Sequence, residues 1–181
     1  MSFLDLTKRR QSCRSYIEGK PVEREKLIAC LEAARLAPSA CYSQPWKYIA
    51  VTAPDAVKEM VSCVYDGIIP VYRFARQVPA FVVVTEEKAT LVDVLKGRMP
   101  NQKFAQMDIG LSVANFCLAA TDQELGTCIM GWFKEDKVKK LLDIPESVTV
   151  RLILAVGYPK NPEPREKSRK AFEETVSFDR Y

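Results

Sequence analysis

The stretch from Met107 to Trp132 limits the fold more than any other part of the chain, because its apolar residues leave room for a single polar seam. Read as a helix, Met107, Gly110, Leu111, Ala114, Cys117 and Leu118 form one apolar stripe, and Ile109, Val113, Phe116 and Ala120 form a second beside it. Polar residues return on one line only, Asp108, Ser112, Asn115 and Asp122, so roughly three quarters of the helix surface is apolar. An ordinary surface helix has one apolar face, so this one is expected inside the protein or inside an oligomer interface, with its polar seam paired across a helix dimer. Gly126 is expected to end it in the left-handed conformation, and the apolar run that follows to enter a sheet. Gly131 then marks a close backbone approach, with a ligand as one candidate.

The rest of the composition narrows the classes. A chain of 181 residues with 48% apolar content predicts one domain, or a subunit that shares its core with a partner. No apolar run approaches the roughly eighteen residues of a membrane helix, and Met1 to Cys13 is polar and basic, so a cytoplasmic protein without a membrane partner is expected. The cysteines, at 13, 30, 41, 63, 117 and 128, include no Cys-x-x-Cys pair and read as reduced thiols rather than a disulfide framework. Histidine is absent. That removes Ser-His-Asp and Cys-His nucleophiles, His-based zinc sites and the usual neutral-pH proton shuttle, and no metal site is expected.

The net charge of +4 is uneven. Lys8, Arg9, Arg10 and Arg14 form one basic cluster, and Lys160, Arg165, Lys167, Arg169 and Lys170 form another. Taken alone, the two clusters are either solvated patches or the halves of one anion site. Nucleic acid is disfavoured, because no aromatic residues interleave with the basic ones.

In chain order, Ser2 to Thr7 predicts a short helix with Ser2 as its cap, and Arg10-Gln-Ser-Cys-Arg14 a loop that presents two guanidiniums and a hydroxyl. Pro21, at a first helical turn, with Glu23 and Glu25 opens a helix that buries Leu27, Ile28, Leu31 and Ala34 and ends before Pro38. Residues 38–46 read as an ordered loop, Tyr48 to Val51 as a strand and Asp55 to Tyr65 as a helix. Asp66 to Gln77 has no clear pattern. Ala80 to Thr85 reads as a buried strand, Glu86 to Gly97 as helical, and Gly97 to Gln102 as a surface loop. Lys134 to Leu142 reads as a helix turning Val138, Leu141 and Leu142 inward, and Val148 to Val156 as the clearest strand. From Lys160 the chain is expected to run over the surface as an extended arm. The order is α+β, a sheet covered by helices.

Four pieces stand in the order found in the FMN-dependent nitroreductase family: Arg10-Gln-Ser-Cys-Arg14, Ala37-Pro-Ser-Ala-Cys-Tyr-Ser-Gln-Pro-Trp46, Leu125-Gly-Thr-Cys-Ile-Met-Gly131, and Lys167-Ser-Arg169 soon after Gly157-Tyr-Pro159. The resemblance runs from about residue 8 to residue 170. It implies one FMN-binding domain over residues 1–181, with a mixed or antiparallel central sheet and residues 160–181 as an extended C-terminal arm. It implies that Arg10, Gln11, Ser12 and Arg14 hold the FMN phosphate, ribityl chain and polar ring edge, and that Lys167 and Arg169 close on the same phosphate. Met130 and Gly131 would lie along the ring. Pro38, Ser39 and Ala40 would reach the flavin of the other subunit in a homodimer built on the central helix, with exchanged arms carrying Phe172 and Val176-Ser-Phe178.

The implied chemistry belongs to the flavin. NADH or NADPH passes it a hydride and leaves, then a nitro-aromatic, quinone or flavin acceptor takes its place, with Arg14 as the charge that favours the reduced anion and no side chain needed as a nucleophile. A specialised flavin dehydrogenase or dehalogenase of the same fold, or a non-catalytic FMN store, are the alternatives. Two departures stand out. Tyr42 occupies a position where many members carry Asn, so acceptor preference does not carry over, and the chain is shorter than many members. Cys41 is expected as a small buried filler, and Trp46 and Trp132 as core residues.

Overall fold

The computed structural model describes residues 2–65, 70–88 and 103–181. Helix α1, Phe3–Arg9, starts on a reciprocal cap in which Ser2 Oγ accepts from the Asp5 amide (3.1 Å) and the Asp5 carboxylate accepts from the Ser2 amide (3.3 Å). Helix α2, Arg24–Arg35, follows Pro21 rather than including it, and buries Leu27, Cys30 and Ala34 while Ile28, expected inside, is exposed. Strand β1, Trp46–Val51, and helix α3, Pro54–Val64, lead into a 3-10 helix, Pro70–Gln77, where the sequence carried no clear pattern. Strand β2 is Ala80–Glu86, helix α4 Phe104–Asp122, strand β3 Gly126–Met130, helix α5 Glu135–Leu141 and strand β4 Thr149–Gly157. The helix expected over 86–97 and the loop over 97–102 lie outside the described residues, apart from the end of β2 and the two residues after it.

The strands form one antiparallel sheet in the order β1-β2-β4-β3. The two central strands are buried on both faces. Phe81, Val83, Ile153 and Ala155 pack into a cluster with Met60, Cys63, Phe74 and Val138, while Val82, Val84, Leu154 and Val156 pack with Leu27, Ala34, Val113 and Phe116 on the other side. A sheet covered by helices on both sides explains why β2 and β4 read as continuous apolar runs although the sheet is antiparallel.

Four expectations about α4 and its surroundings change. The left-handed residue after α4 is Glu124 (φ 63°), not Gly126, which lies in β3. The polar seam turns to the chain's own α2, with Ser112 Oγ donating to the Ala34 carbonyl (2.7 Å) and Asn115 Nδ2 to the Ala33 carbonyl (3.3 Å). These are carbonyls of the last helical turn; the Ala34 carbonyl also accepts from the Ala37 amide (3.2 Å), so the seam helps to finish that helix. The stripe of Met107, Gly110, Leu111 and Ala114 is exposed in the single chain. Trp46 is buried as expected, whereas Trp132 is 61% exposed and Cys41 is exposed rather than a buried filler. Among the described residues no helix is long and apolar enough to cross a membrane, and no cluster of ligating side chains suits a metal ion.

Candidate functional site

After α1 the chain lies along the outer edge of β3. Ser12 bridges Thr127 in parallel, the Cys13 amide donates to the Thr127 carbonyl (2.8 Å), and Tyr16 bridges Pro159. The Tyr16 hydroxyl is buried and donates to the Cys13 carbonyl at 3.0 Å, and burial pushes this phenol well above its ordinary pKa. Beyond Tyr16 the segment is stitched to the chain that leaves β4, with the Ile17 amide on the Tyr158 carbonyl (2.8 Å) and the Lys160 amide on the Ser15 carbonyl (3.1 Å). Both basic clusters therefore meet at one edge of the sheet.

Within that meeting point, Lys167 Nζ donates to the Thr7 carbonyl in the last turn of α1 (2.8 Å). Burial lowers the pKa of Lys167, and the positive charges of Arg10 and Arg169 lower it further. Arg10 and Arg169 are thus near enough to Lys167 for their charges to act on it, and among the described residues none of the three is ion-paired to a carboxylate. Like charges held together without a counter-charge make a site for an anion with several oxygens. Gln11 and Ser12 are half-buried beside it. Arg14 is exposed and close to Cys128; burial raises the Cys128 thiol, and the Arg14 charge opposes that rise. A cleft of ≈ 210 Å³ opens beside Arg14, with Gln11, Ser12, Asn161, Glu163 and Arg165 in its wall; Arg10, Lys167 and Arg169 stand outside that wall.

Met130, the last residue of β3, is fully buried, while the next residue, Gly131, is exposed, and a Cβ there would meet nothing within 4 Å. The backbone is therefore open to an approaching molecule at Gly131. Pro38, Ser39 and Ala40 hang from the start of α4, because the Ala40 amide donates to Asp108 Oδ2 (3.1 Å) and Ser39 Oγ accepts from the Gln44 amide (3.0 Å). Cys41, Tyr42 and Gln44 take positive φ (53°, 55° and 44°), and Tyr42 projects 91% exposed. Among the described residues no hydrogen bond or ion pair joins this loop to the Arg10 cluster within one chain.

Two residues have a larger part than the sequence reading gave them. Asp108 was visible only as part of a polar seam, yet it is buried and anchors the 38–40 loop. Arg165 was visible only as one charge in a basic cluster, yet it bonds both Gln11 and Ser12. An acidic residue early in an otherwise apolar helix was the available signal for the first; nothing periodic marks the second.

The Nitroreductase family matches this chain over residues 7–158. A protein of Archaeoglobus fulgidus with the provisional name NADH dehydrogenase/NAD(P)H nitroreductase is 29% identical over 160 residues, covering 84% of this chain and 82% of that protein. The oxygen-insensitive NADPH nitroreductase of Helicobacter pylori is 26% identical, covering 98% of this chain and all of its own length. The structure of an FMN-dependent nitroreductase from Clostridium difficile superimposes with a TM-score of 0.78 at 21% identity, over 99% of this chain and 100% of that one.

Proposed function

This chain belongs to the nitroreductase family, and we propose that it is a cytoplasmic, homodimeric FMN oxidoreductase that takes a hydride from NADPH or NADH and delivers it to a nitro-aromatic, quinone or flavin acceptor by a ping-pong mechanism. The observation that carries the reading is the group of Arg10, Lys167 and Arg169, brought from opposite ends of the chain and, among the described residues, not ion-paired to a carboxylate. A phosphate monoester suits such a cluster because it carries close to two charges and three oxygens, and several fixed donors can share them. Riboflavin would leave the cluster unpaired, which favours FMN.

In this reading Gln11, Ser12 and Arg14 lie along the ribityl chain and the polar ring edge. The backbone of Met130 and Gly131 takes the ring, where the open face at Gly131 leaves room for it. When bound, FMN supplies a two-electron carrier that accepts a hydride from one molecule and releases it to another. The protein's own work is to fix the phosphate, to hold Arg14 as a positive charge beside the ring, and to keep a backbone amide rather than a side chain against it. Nothing in that list calls for histidine.

The dimer reading rests on surfaces that the single chain leaves uncovered. The Met107–Leu111 stripe of α4 is one. The sheet edge at β1 is another, since the edge at β3 is taken by residues 12–13, whereas Lys47 to Ala50 border a cleft of ≈ 530 Å³. Phe172 and Phe178 of the C-terminal arm are exposed and supply apolar side chains for the partner's β1 edge. Pro38, Ser39 and Ala40 then complete the other subunit's flavin site.

The test is the visible spectrum of the purified protein before and after NADPH or NADH is added without oxygen. Yellow protein that bleaches within seconds to minutes is the expected result. Yellow protein that stays yellow moves the reading to a non-catalytic FMN store, and colourless protein that also fails to take up FMN overturns it.

A further inference from the structure

We propose that Arg165 is a positioning residue for the anion cluster: by tying residues 11–12 to residues 163–165 it sets where Arg10 stands against Lys167 and Arg169. One terminal guanidinium nitrogen of Arg165 donates to the Ser12 carbonyl at 2.6 Å, and Nε donates to Gln11 Oε1 at 3.1 Å. The Arg165 backbone amide donates to the same Gln11 oxygen at 3.1 Å. Gln11 replies from its Nε2, which donates to the Glu163 carbonyl at 3.0 Å. The Gln11 carboxamide thus stands where a neighbouring strand's peptide group would stand, giving its N–H to one residue of the arm and its C=O to the amide two residues on. Both polar ends of the Gln11 carboxamide are thus bonded to the arm.

The consequence follows from position. Arg10 directly precedes Gln11, and Lys167 is two residues beyond Arg165. Three neighbouring cations repel one another, and Lys167 is already disfavoured as a cation by burial. Side chains alone would swing apart, so the backbones beneath them must be held together. Cys13 is held by Thr127, Lys160 by Ser15, and Lys167 reaches the Thr7 carbonyl through its own side chain; the tie between the two backbones nearest the cations is made by Gln11 and Arg165. A planar fork with several donors in fixed directions makes it, and lysine has no such fork. Arg165 acts through the backbone here and makes no claim on the phosphate itself.

The proposal rests on the FMN reading for its functional readout, so it is tested by two measurements on the full-length chain. The first is FMN affinity, by quenching of flavin fluorescence, for the wild type, Arg165→Ala and Arg165→Lys. Both variants are expected to bind FMN about tenfold more weakly, the scale of losing hydrogen bonds to a charged group, while kcat at saturating FMN is retained. The second is amide hydrogen exchange without added flavin. Exchange at residues 10–14 is expected to quicken in both variants, while β4 stays protected as the control for folding. If Arg165→Lys binds FMN like the wild type, charge rather than the fork matters and the proposal is overturned. Unchanged FMN affinity in Arg165→Ala, or unchanged exchange at 10–14, overturns it equally. A wild type that binds no FMN fails the functional reading instead, and the exchange comparison still decides whether the tie exists.

Discussion

Gly126 has no room for a side chain. A Cβ built there would stand 2.7 Å from Cys13 Cβ and 2.8 Å from Cys13 Sγ, closer than such atoms approach in folded proteins. The reason is the site segment, which crosses tight against β3 at Cys13 and is bonded there to Thr127. Gly126→Ala is therefore expected to cost about 1–3 kcal/mol by overpacking, read as a lower urea midpoint. It should also weaken FMN binding, because the residue that must move belongs to the segment carrying Arg10 and Arg14. A glycine in a sequence signals either positive φ or close approach, and the two are indistinguishable without the neighbour. Here the second applies, and Glu124 carries the left-handed turn.

At the level of elements, α5 is joined to β4 by one carboxylate. Glu135 opens α5, and its Oε1 accepts from the Val150 amide at 2.9 Å and lies 3.3 Å from Lys139 Nζ one turn on. The bond from the Val150 amide holds the Glu135 pKa below its ordinary value; burial opposes it, and the contact and charge of Lys139, with the charge of Arg151, add to the lowering. A carboxylate whose folded pKa is depressed stabilises the fold fully above its unfolded pKa, and the contribution is lost as the pH falls through the folded value. Glu135→Gln should therefore be less stable than the wild type at neutral pH, with the difference closing on acidification below the usual carboxylate range. Urea unfolding at a series of pH values reads this directly; a gap that persists at the acid end would mean that shape, not charge, makes the contact. Elements of this kind were largely legible in the sequence. The four strands, the capped first helix and the central helix all follow from periodicity and caps. What periodicity cannot supply is the identity of the surface across from a face. The seam of Ser112 and Asn115 was visible as a seam, but its partners are carbonyls of α2, and backbone groups leave no mark in a sequence. The site divides the same way: the charges of Arg10, Lys167 and Arg169 were legible as two clusters, whereas the tie through Gln11 and Arg165 joins two irregular segments with no repeat to betray it.

For the whole molecule, the question is what covers α4. Met107 and Leu111 are 48% and 49% exposed on a helix whose opposite side is core, and Phe3 and Leu4 of α1 are exposed as well. A continuous apolar strip of this kind marks an association surface. In a two-fold dimer the same strip meets its own copy, so one substitution acts twice. Leu111→Glu places two carboxylates in one apolar seam, and burying unpaired charge is costly enough to break association. Sedimentation should then find a dimer for the wild type and a monomer for Leu111→Glu, with a native-like circular dichroism spectrum because Leu111 lies outside the chain's own core. FMN affinity separates two ideas that the dimer alone does not. If Pro38, Ser39 and Ala40 reach the partner's flavin, the monomeric variant should lose FMN by tenfold or more, although its own Arg10, Lys167 and Arg169 are untouched. A monomer that binds FMN as tightly as the dimer would remove those three residues from the site and leave the phosphate cluster sufficient by itself. A wild type that sediments as a monomer would remove the exchanged arm as well, and the exposed stripe of α4 would then need a different partner.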